Sequence, residues 1–284
     1  MPPFTRALPW LLRAAWVVLP FTAGGALGEA LSGRSSAVRT TASVGLWLVW
    51  AVVLVVLLVP RPVGLTALRV AAPAALAASL ATGSWLAGLS AGVACVLGFL
   101  PETGFLFVNG AAYGDERRHL LRPPGALLLG PLALAWVVVV AGVAVGPLLL
   151  AAGQVAGGVA ALVAGWAAAF VAGRALHSLS NRWVVLVPAG LVLKDHLALL
   201  DPVLFRRGDV ELLHPAPADT DALDLTVRSP GLALELRLRE KVPLVVVAGG
   251  TKGGEPGRVL RLLFTPTRPG ALLADAESRR IPVG

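Results

Sequence analysis

Three consecutive stretches decide the fold: GGVAALVAGWAAAFVAGRAL at residues 157–176, HSLSNR at 177–182, and WVVLVPAGLVLK at 183–194. The first carries no charge before Arg174 and is long enough, at about 1.5 Å per residue, to cross about 30 Å of hydrocarbon as a helix. The third is a pair of short valine- and leucine-rich runs around Pro188-Ala189-Gly190, which reads as strand, turn, strand. The hydrophobic period therefore switches near residue 177. An α + β chain is expected, with a helical membrane domain over 1–176 and a β domain over 177–284.

Composition agrees with lipid as the solvent of the first part. Hydrophobic residues make up 56% of the 284, charged residues 14%, and the mean hydropathy is +0.79. These values exclude an ordinary soluble domain, a disordered chain and a collagen-like one. The net charge of +8 is almost all arginine, since Lys194, Lys241 and Lys252 are the only lysines. That bias reads as compositional, and no nucleic-acid partner is expected. The lone Cys95 excludes an intrachain disulfide framework and any site needing several thiolates.

Working back from 157–176, five more apolar runs are spaced as spans: Leu11 to Leu31, Val44 to Val59, Leu65 to Thr82, Trp85 to Leu100, and Ala126 to Val145. Thr82-Gly83-Ser84 leaves almost no loop between the third and fourth, which predicts a tight helical hairpin. With the N-terminus inside, inner segments hold Arg6, Arg13, Arg61, Arg69, Arg117, Arg118, Arg122, Arg174 and Arg182, and outer segments only Arg34 and Arg39. Positive residues flanking spans stay in the cytoplasm, so both termini are expected there, in a multi-pass protein of the cytoplasmic membrane. The first run also resembles a signal peptide, but Arg13 interrupts it and no clean A-x-A site follows.

Small residues at four-residue spacing let helices approach closely in lipid. The sixth run carries such a ladder at Gly153, Gly157, Ala161, Gly165, Ala169 and Gly173. It serves either packing within one bundle or homodimerisation. Glu29, Arg69 and Glu102 fall near span ends, and no span has an acid or histidine at its centre, which argues against an ion-coupled transporter.

The longest connection in this half runs from Pro101 to Pro124. If the helical half binds a polar ligand or partner, the candidates are Asn109, Tyr113, Asp115, Glu116, Arg117, Arg118 and Arg122. The three arginines are suited to anionic headgroups or to simple retention inside. Asp115 and Glu116 are placed to pair with them. Asp115 and His119 stand four apart, but two ligands make no metal site, and neither a metal nor a cofactor is expected.

Beyond residue 194, strands are expected at Val203 to Phe205, Val210 to Leu213, Leu244 to Val247 and Val259 to Phe264. Leu223, Leu225 and Val227 alternate with polar residues, and Leu232 to Leu238 do likewise after Ser229-Pro230-Gly231, which predicts a hairpin. A last helix is expected after Thr267 as cap, with Pro269 in its first turn, Leu272, Leu273 and Ala276 inward, and Arg279 and Arg280 at its end. Gly249-Gly250-Thr251-Lys252-Gly253-Gly254 lacks the phosphate-loop order and reads as a hairpin loop. Arg206-Arg207 is suited to anionic lipid or an acidic partner, though the neighbouring Asp209 points to an ordinary turn. No serine or cysteine stands in a nucleophile motif, so no catalytic residue is expected.

Antiparallel strands followed by one helix, together with the stretch Arg182 to Leu191, resemble the bacterial PH-like domains attached to membrane helices in integral membrane proteins of high-GC bacteria. The resemblance covers about residues 180 to 282 and implies a non-enzymatic interaction module. Lipid-binding members of the wider fold put basic residues between the first two strands; here Pro188-Ala189-Gly190 stands there, and headgroup binding does not carry over with the resemblance. The expected function is a membrane scaffold or regulator that holds a cytoplasmic or membrane protein partner, by a sheet edge or the groove beside the last helix. The alternative is a transporter or lipid-handling protein with a cytoplasmic entrance at residues 109–122. An intramembrane enzyme ranks third, since it needs a nucleophile and base that converge.

Overall fold

The computed structural model describes residues 3–247 and 253–284. In chain order its elements begin with α1 (Pro3–Ala30), α2 (Ser36–Leu58), α3 (Pro62–Ala81), α4 (Trp85–Phe99) and α5 (Pro101–Asn109). There follow β1 (Arg117–Leu120), a single turn α6 (Gly125–Leu128), α7 (Pro131–Ala151) and α8 (Val155–Leu179). The remainder is β2 (Trp183–Val187), β3 (Gly190–Lys194), β4 (Val203–Arg206), β5 (Val210–Pro215), β6 (Leu223–Asp224), β7 (Leu234–Val246), β8 (Glu255–Phe264) and α9 (Pro269–Ser278). They form two compact units: Met1–Gly110 with Leu132–His177, and Ala111–Pro131 with Ser178–Gly284. By sequence the elbow after Gly110 sits with the helices; in the structure it belongs to the β unit.

In the helical unit, α1 from Arg6, α2, α3, α7 and α8 are each long and apolar enough to cross a membrane. The fourth expected span forms as one helix but is short, and a second helix follows it at a bend. Helix α4 has 15 residues, about 22 Å of rise, and meets α5 at a bend of 61°. Pro101 causes the break: it has no N–H to offer Leu97 and disfavours helical geometry at Leu100, whose ψ is 140°. Thr103 Oγ1 donates to the Leu97 carbonyl freed there, at 2.7 Å.

The tight turn between α3 and α4 is as expected. Gly83 takes φ +72°, and Ser84 Oγ caps α4 by accepting from Ala87 N. From this turn α4 runs antiparallel along α3, Gly88 facing Leu80, Gly92 facing Leu76, and Gly98 facing Leu68. Helix α5 continues the alignment: Gly64 faces Phe107, and a Cβ on Gly110 would stand 2.2 Å from the Pro60 carbonyl. The bent pair thus retraces the whole of α3 back to the α2–α3 connection. Helices α1 and α2 are locked by reciprocal indole bonds, Trp16 Nε1 to Trp50 O and Trp50 Nε1 to Trp16 O, each 3.0 Å.

Helices α7 and α8 meet through glycines. A Cβ on Gly142 would lie 2.4 Å from Gly165 O and 3.1 Å from the Ala169 methyl, and Gly146 lies against the Leu162 backbone. Gly173 touches only Val139, at 3.9 Å, and nothing lies within 4 Å of Gly153 or Gly157. The ladder of the sixth expected span is therefore drawn, at Gly165 and Ala169, against the chain's own α7. Gly153 is outside the helix, in the turn, with φ +80°.

In the β unit, one sheet has the order β1-β2-β3-β4, all antiparallel, and the second the order β5-β7-β8-β6. Leu121, Val184, Leu186, Leu191, Leu193, Phe205, Val210, Leu213, Leu234, Leu236, Leu238, Leu262 and Phe264 make one core with Leu272 and Ala276 of α9. Burial of such side chains contributes about 1.5–3 kcal/mol each before the entropy cost. The expected strands at 244–247 and 259–264 are parts of the long β7–β8 hairpin. Residues 248–252 of the glycine-rich loop lie outside the described residues.

The hairpin expected across Leu223 to Leu238 does not form. Asp224 Oδ1 accepts from Thr226 N and Thr226 Oγ1 from Arg228 N, curling the chain, and Val227 and Arg228 take φ near +54°. Only Leu223 and Asp224 pair, in parallel with β8, while Leu234 to Leu238 are taken by β5 and β8. Nor does Thr267 cap α9. The N-cap is Arg268, without a side-chain bond, and Thr267 N donates to Leu120 O in the elbow.

Candidate functional site: the elbow seam

Strand β1 pairs antiparallel with β2, Arg117 opposite Leu186 and Leu120 opposite Trp183. The chain then turns to the other sheet: Arg122 N donates to Thr265 O, and Leu121 bridges Pro266. The elbow thus closes the seam between the two sheets. Its anchor is Arg182, whose Nε and Nη2 donate to the two oxygens of Asp195, each at 2.7 Å, and whose Nη1 donates to Arg122 O at 2.8 Å. Both side chains are 1% exposed. Ser229 Oγ also donates to Arg122 O. Arg182, counted by sequence as an inside-retaining charge, is a buried structural cation. The signal was present: Trp183 faces Lys194 in the β2–β3 register, so the next pair outward is Arg182 and Asp195.

The candidates from the sequence fall in three places. Asn109 belongs to the helical unit, where its Nδ2 donates to Phe105 O. Tyr113 is 87% exposed. Glu116 pairs with Arg118 at 2.9 Å, a surface pair contributing at most about 1 kcal/mol, and Arg118 also lies over the Trp183 ring. Arg122 packs its guanidinium over Gly231, whose φ of +111° suits only glycine.

Asp115 and Arg117 come together with Pro188, Arg207, Asp275, Ser278 and Arg279 around a cleft of about 450 Å³. Sequence reasoning did not assemble the last five, because they come from the β2–β3 turn, the β4–β5 turn and α9. Arg279 donates through Nη2 to the Asp115 carbonyl. Buried His119, two residues along β1 from Arg117, places Nε2 at 3.1 Å from Asp275 Oδ2. The hydrogen bond from His119 holds the Asp275 carboxyl below the usual carboxylate value despite partial burial. Ser278 Oγ is occupied by Asp275 O at 2.7 Å. Neither Arg117 nor Arg207 makes a side-chain hydrogen bond or close ion pair among the described residues, though Arg117 helps through space to hold the Asp275 carboxyl ionised.

Chemically the cleft offers two guanidinium forks that make no hydrogen bond among the described residues, a third fixed to a carbonyl, and carboxylates at the walls. That is equipment for recognising a charged group. The described residues contain no group of three or more His, Cys, Asp and Glu placed to hold a metal ion. A second cleft, about 630 Å³, lies within the helical unit between Ser36, Ala37, Thr40 and Thr41 of α2 and Pro147, Leu150 and Ala151 of α7. It does not involve residues 109–122, the entrance expected under the transporter reading. No protein family, no curated protein and no solved structure matches this chain.

Proposed function

We propose that the protein is a multi-pass protein of the cytoplasmic membrane and a non-enzymatic scaffold or regulator that presents a PH-like domain to a protein partner. The observation that carries this reading is that the β unit is built from two stretches of chain separated by α7 and α8. It is covalently joined to the helical unit at three places: Gly110 to Ala111, Pro131 to Leu132, and His177 to Ser178. A domain threaded in this way feels any displacement of the helices, and the helices feel any ligand on the domain, which suits regulation better than passive tethering.

Insertion in lipid is supported by large apolar side chains left bare on the helices, among them Phe21 at 84%, Trp85 at 77% and Phe170 at 72% exposed. Far larger apolar surface is bare than a soluble monomer tolerates. The α4–α5 pair ends where α3 begins, so it counts as one crossing, which makes six. Pairing of β1 with β2 requires residues 111–131 and 178–284 to share a compartment, and the two crossings of α7 and α8 satisfy that. The arginine bias favours the cytoplasm for both termini, and Arg182 still counts there because insertion precedes its burial. Two four-stranded sheets with a C-terminal helix support the PH-like reading.

Sidedness is tested by impermeant maleimide labelling of intact cells, using Cys95→Ser chains with single cysteines. Cysteine at Ser35 is expected to label and at Tyr113 or Arg207 not to label; the reverse pattern overturns the orientation. The scaffold reading is tested by photo-crosslinkers placed in the full chain at Leu260, on the exposed part of β8, and beside α9 at Leu273. One partner crosslinking reproducibly from these positions, and not from Tyr113, supports it. Absence of adducts from every position on the domain overturns it.

A further inference from the structure

The geometry points to a binding site for a single phosphate monoester in the elbow cleft, held by Arg117 and Arg207 with Arg279 as the third cation. This deepens the preceding proposal, resting on its reading of the β unit as a ligand-responsive domain. Three arginines reach one cleft of about 450 Å³ from three separate elements: the start of β1, the β4–β5 turn, and the end of α9. Arg279 is fixed by the Asp115 carbonyl, whereas the forks of Arg117 and Arg207 make no hydrogen bond among the described residues, Arg117 acting on Asp275 only through space. Three guanidinium groups against the two carboxylates Asp115 and Asp275 leave the cleft with a cationic excess, which an anion with several charged oxygens offsets. Planar guanidinium forks match phosphate oxygens two at a time, which a point-charge ammonium does not.

The walls also set what kind of anion fits. Asp115 and Asp275 stand on the same cleft and repel an extended polyanion, so nucleic acid and polyphosphate are disfavoured. Asp275 is occupied in part by His119, which leaves the cationic excess in place for one compact group. The volume far exceeds that of a bare phosphate and has room for the substituent of an ester. Asp115 follows Gly110, the last residue of the helical unit before the elbow, by only five positions. Both a lipid headgroup and a soluble phosphorylated metabolite present this chemistry.

The two sources are separated with the full chain in phosphatidylcholine nanodiscs. In one arm inorganic phosphate is titrated by calorimetry. In the other, retention of phosphatidic acid is counted by native mass spectrometry from discs that contain it. Arg117→Gln and Arg207→Gln are each expected to weaken the bound probe about tenfold or more, and Arg258→Gln, on exposed β8, to leave it within twofold. Binding in the first arm assigns a soluble ligand; retention in the second without the first assigns a headgroup. Neither probe bound, or binding unchanged in the Arg117→Gln/Arg207→Gln double variant, overturns the site. Both substituted side chains are exposed, so folding is not at risk. Failure here leaves the crosslinking result of the scaffold reading intact, and the absence of crosslinks leaves the titration readable.

Discussion

Replacing Arg182 by alanine removes one partner of a pair that is 1% exposed on both sides. It strands the Asp195 carboxylate, which keeps only the Leu197 N–H at 3.0 Å, and leaves Arg122 O with the Ser229 hydroxyl alone. Breaking a buried pair from one side costs about 3–5 kcal/mol, because the surviving charge stays desolvated. That is a large share of the roughly 5–15 kcal/mol that holds a domain folded. Converted at 1.36 kcal/mol per decade, it is between about 100-fold and a few thousand-fold in the opening equilibrium of the seam. Hydrogen exchange of the full chain in nanodiscs reads this directly: amides of Arg118 to Arg122 and of Thr267 should lose protection by that factor, while those of α3 stay unchanged. The double variant Arg182→Met/Asp195→Leu removes both charges and is expected to recover most of the protection. If Arg182→Ala loses less than tenfold, or the double variant fares no better than the single, the seam is not held as described.

Three further outcomes follow from named contacts. Gly165→Leu drives a side chain into the Gly142 backbone, and is expected to lower the melting temperature in detergent without changing oligomer size on light scattering. Asp275 has a folded-state pKa depressed by His119, so its contribution is complete above the unfolded carboxylate value near 3.9 and is lost as pH falls through the lower folded value. Asp275→Asn should therefore flatten the acid limb of a stability–pH profile while leaving Arg182-dependent protection in place. A fragment of residues 177–284 should aggregate or bind a hydrophobic dye, whereas the same fragment preceded by 111–131 on a flexible linker should give a dispersed amide spectrum.

The sequence was most legible where one rule acts alone. The apolar runs marked every long helix because spanning length and hydropathy need no partner, and the β2–β3 hairpin was marked because Pro188-Ala189-Gly190 joins its strands locally. The hairpin expected at Leu223 to Leu238 failed because alternation identifies a strand with two unlike faces but not the neighbour that takes it. Asp224 and Thr226 turn the chain, and β5 and β8 flank the second strand. The fourth span was marked as far as Leu100, and the signal for the bend beyond it is Pro101, which disfavours helical geometry at the residue before it. The elbow was singled out by its polar residues, of which Asp115 and Arg117 line the cleft. Its role as a strand was hidden: Arg117-Arg118-His119-Leu120 alternates too briefly to register, and its partner lies more than sixty residues away.

That separation has a cost in folding and a use in the finished protein. Strand β1 is synthesised before α7 and α8, and β2 after them, so the seam cannot close until both helices are made. Until then His119, Leu120 and Leu121, all buried at the end, stand open on an unpaired strand. A domain placed wholly after the last helix avoids this exposure, and a fragment begun at residue 177 inherits the matching defect: β2 has a bare edge, Asp275 has lost His119, and Arg182 Nη1 has lost Arg122 O. In return the anchor of the seam sits beside the join between the units, at Arg182 five residues after His177, with its acceptor Arg122 ten residues before Leu132. Under the proposed regulation, a ligand that tightens β1 against α9 through Arg117 and Arg279 acts on the strand that leads into Arg122, and coupling to the helices in both directions is the expected consequence.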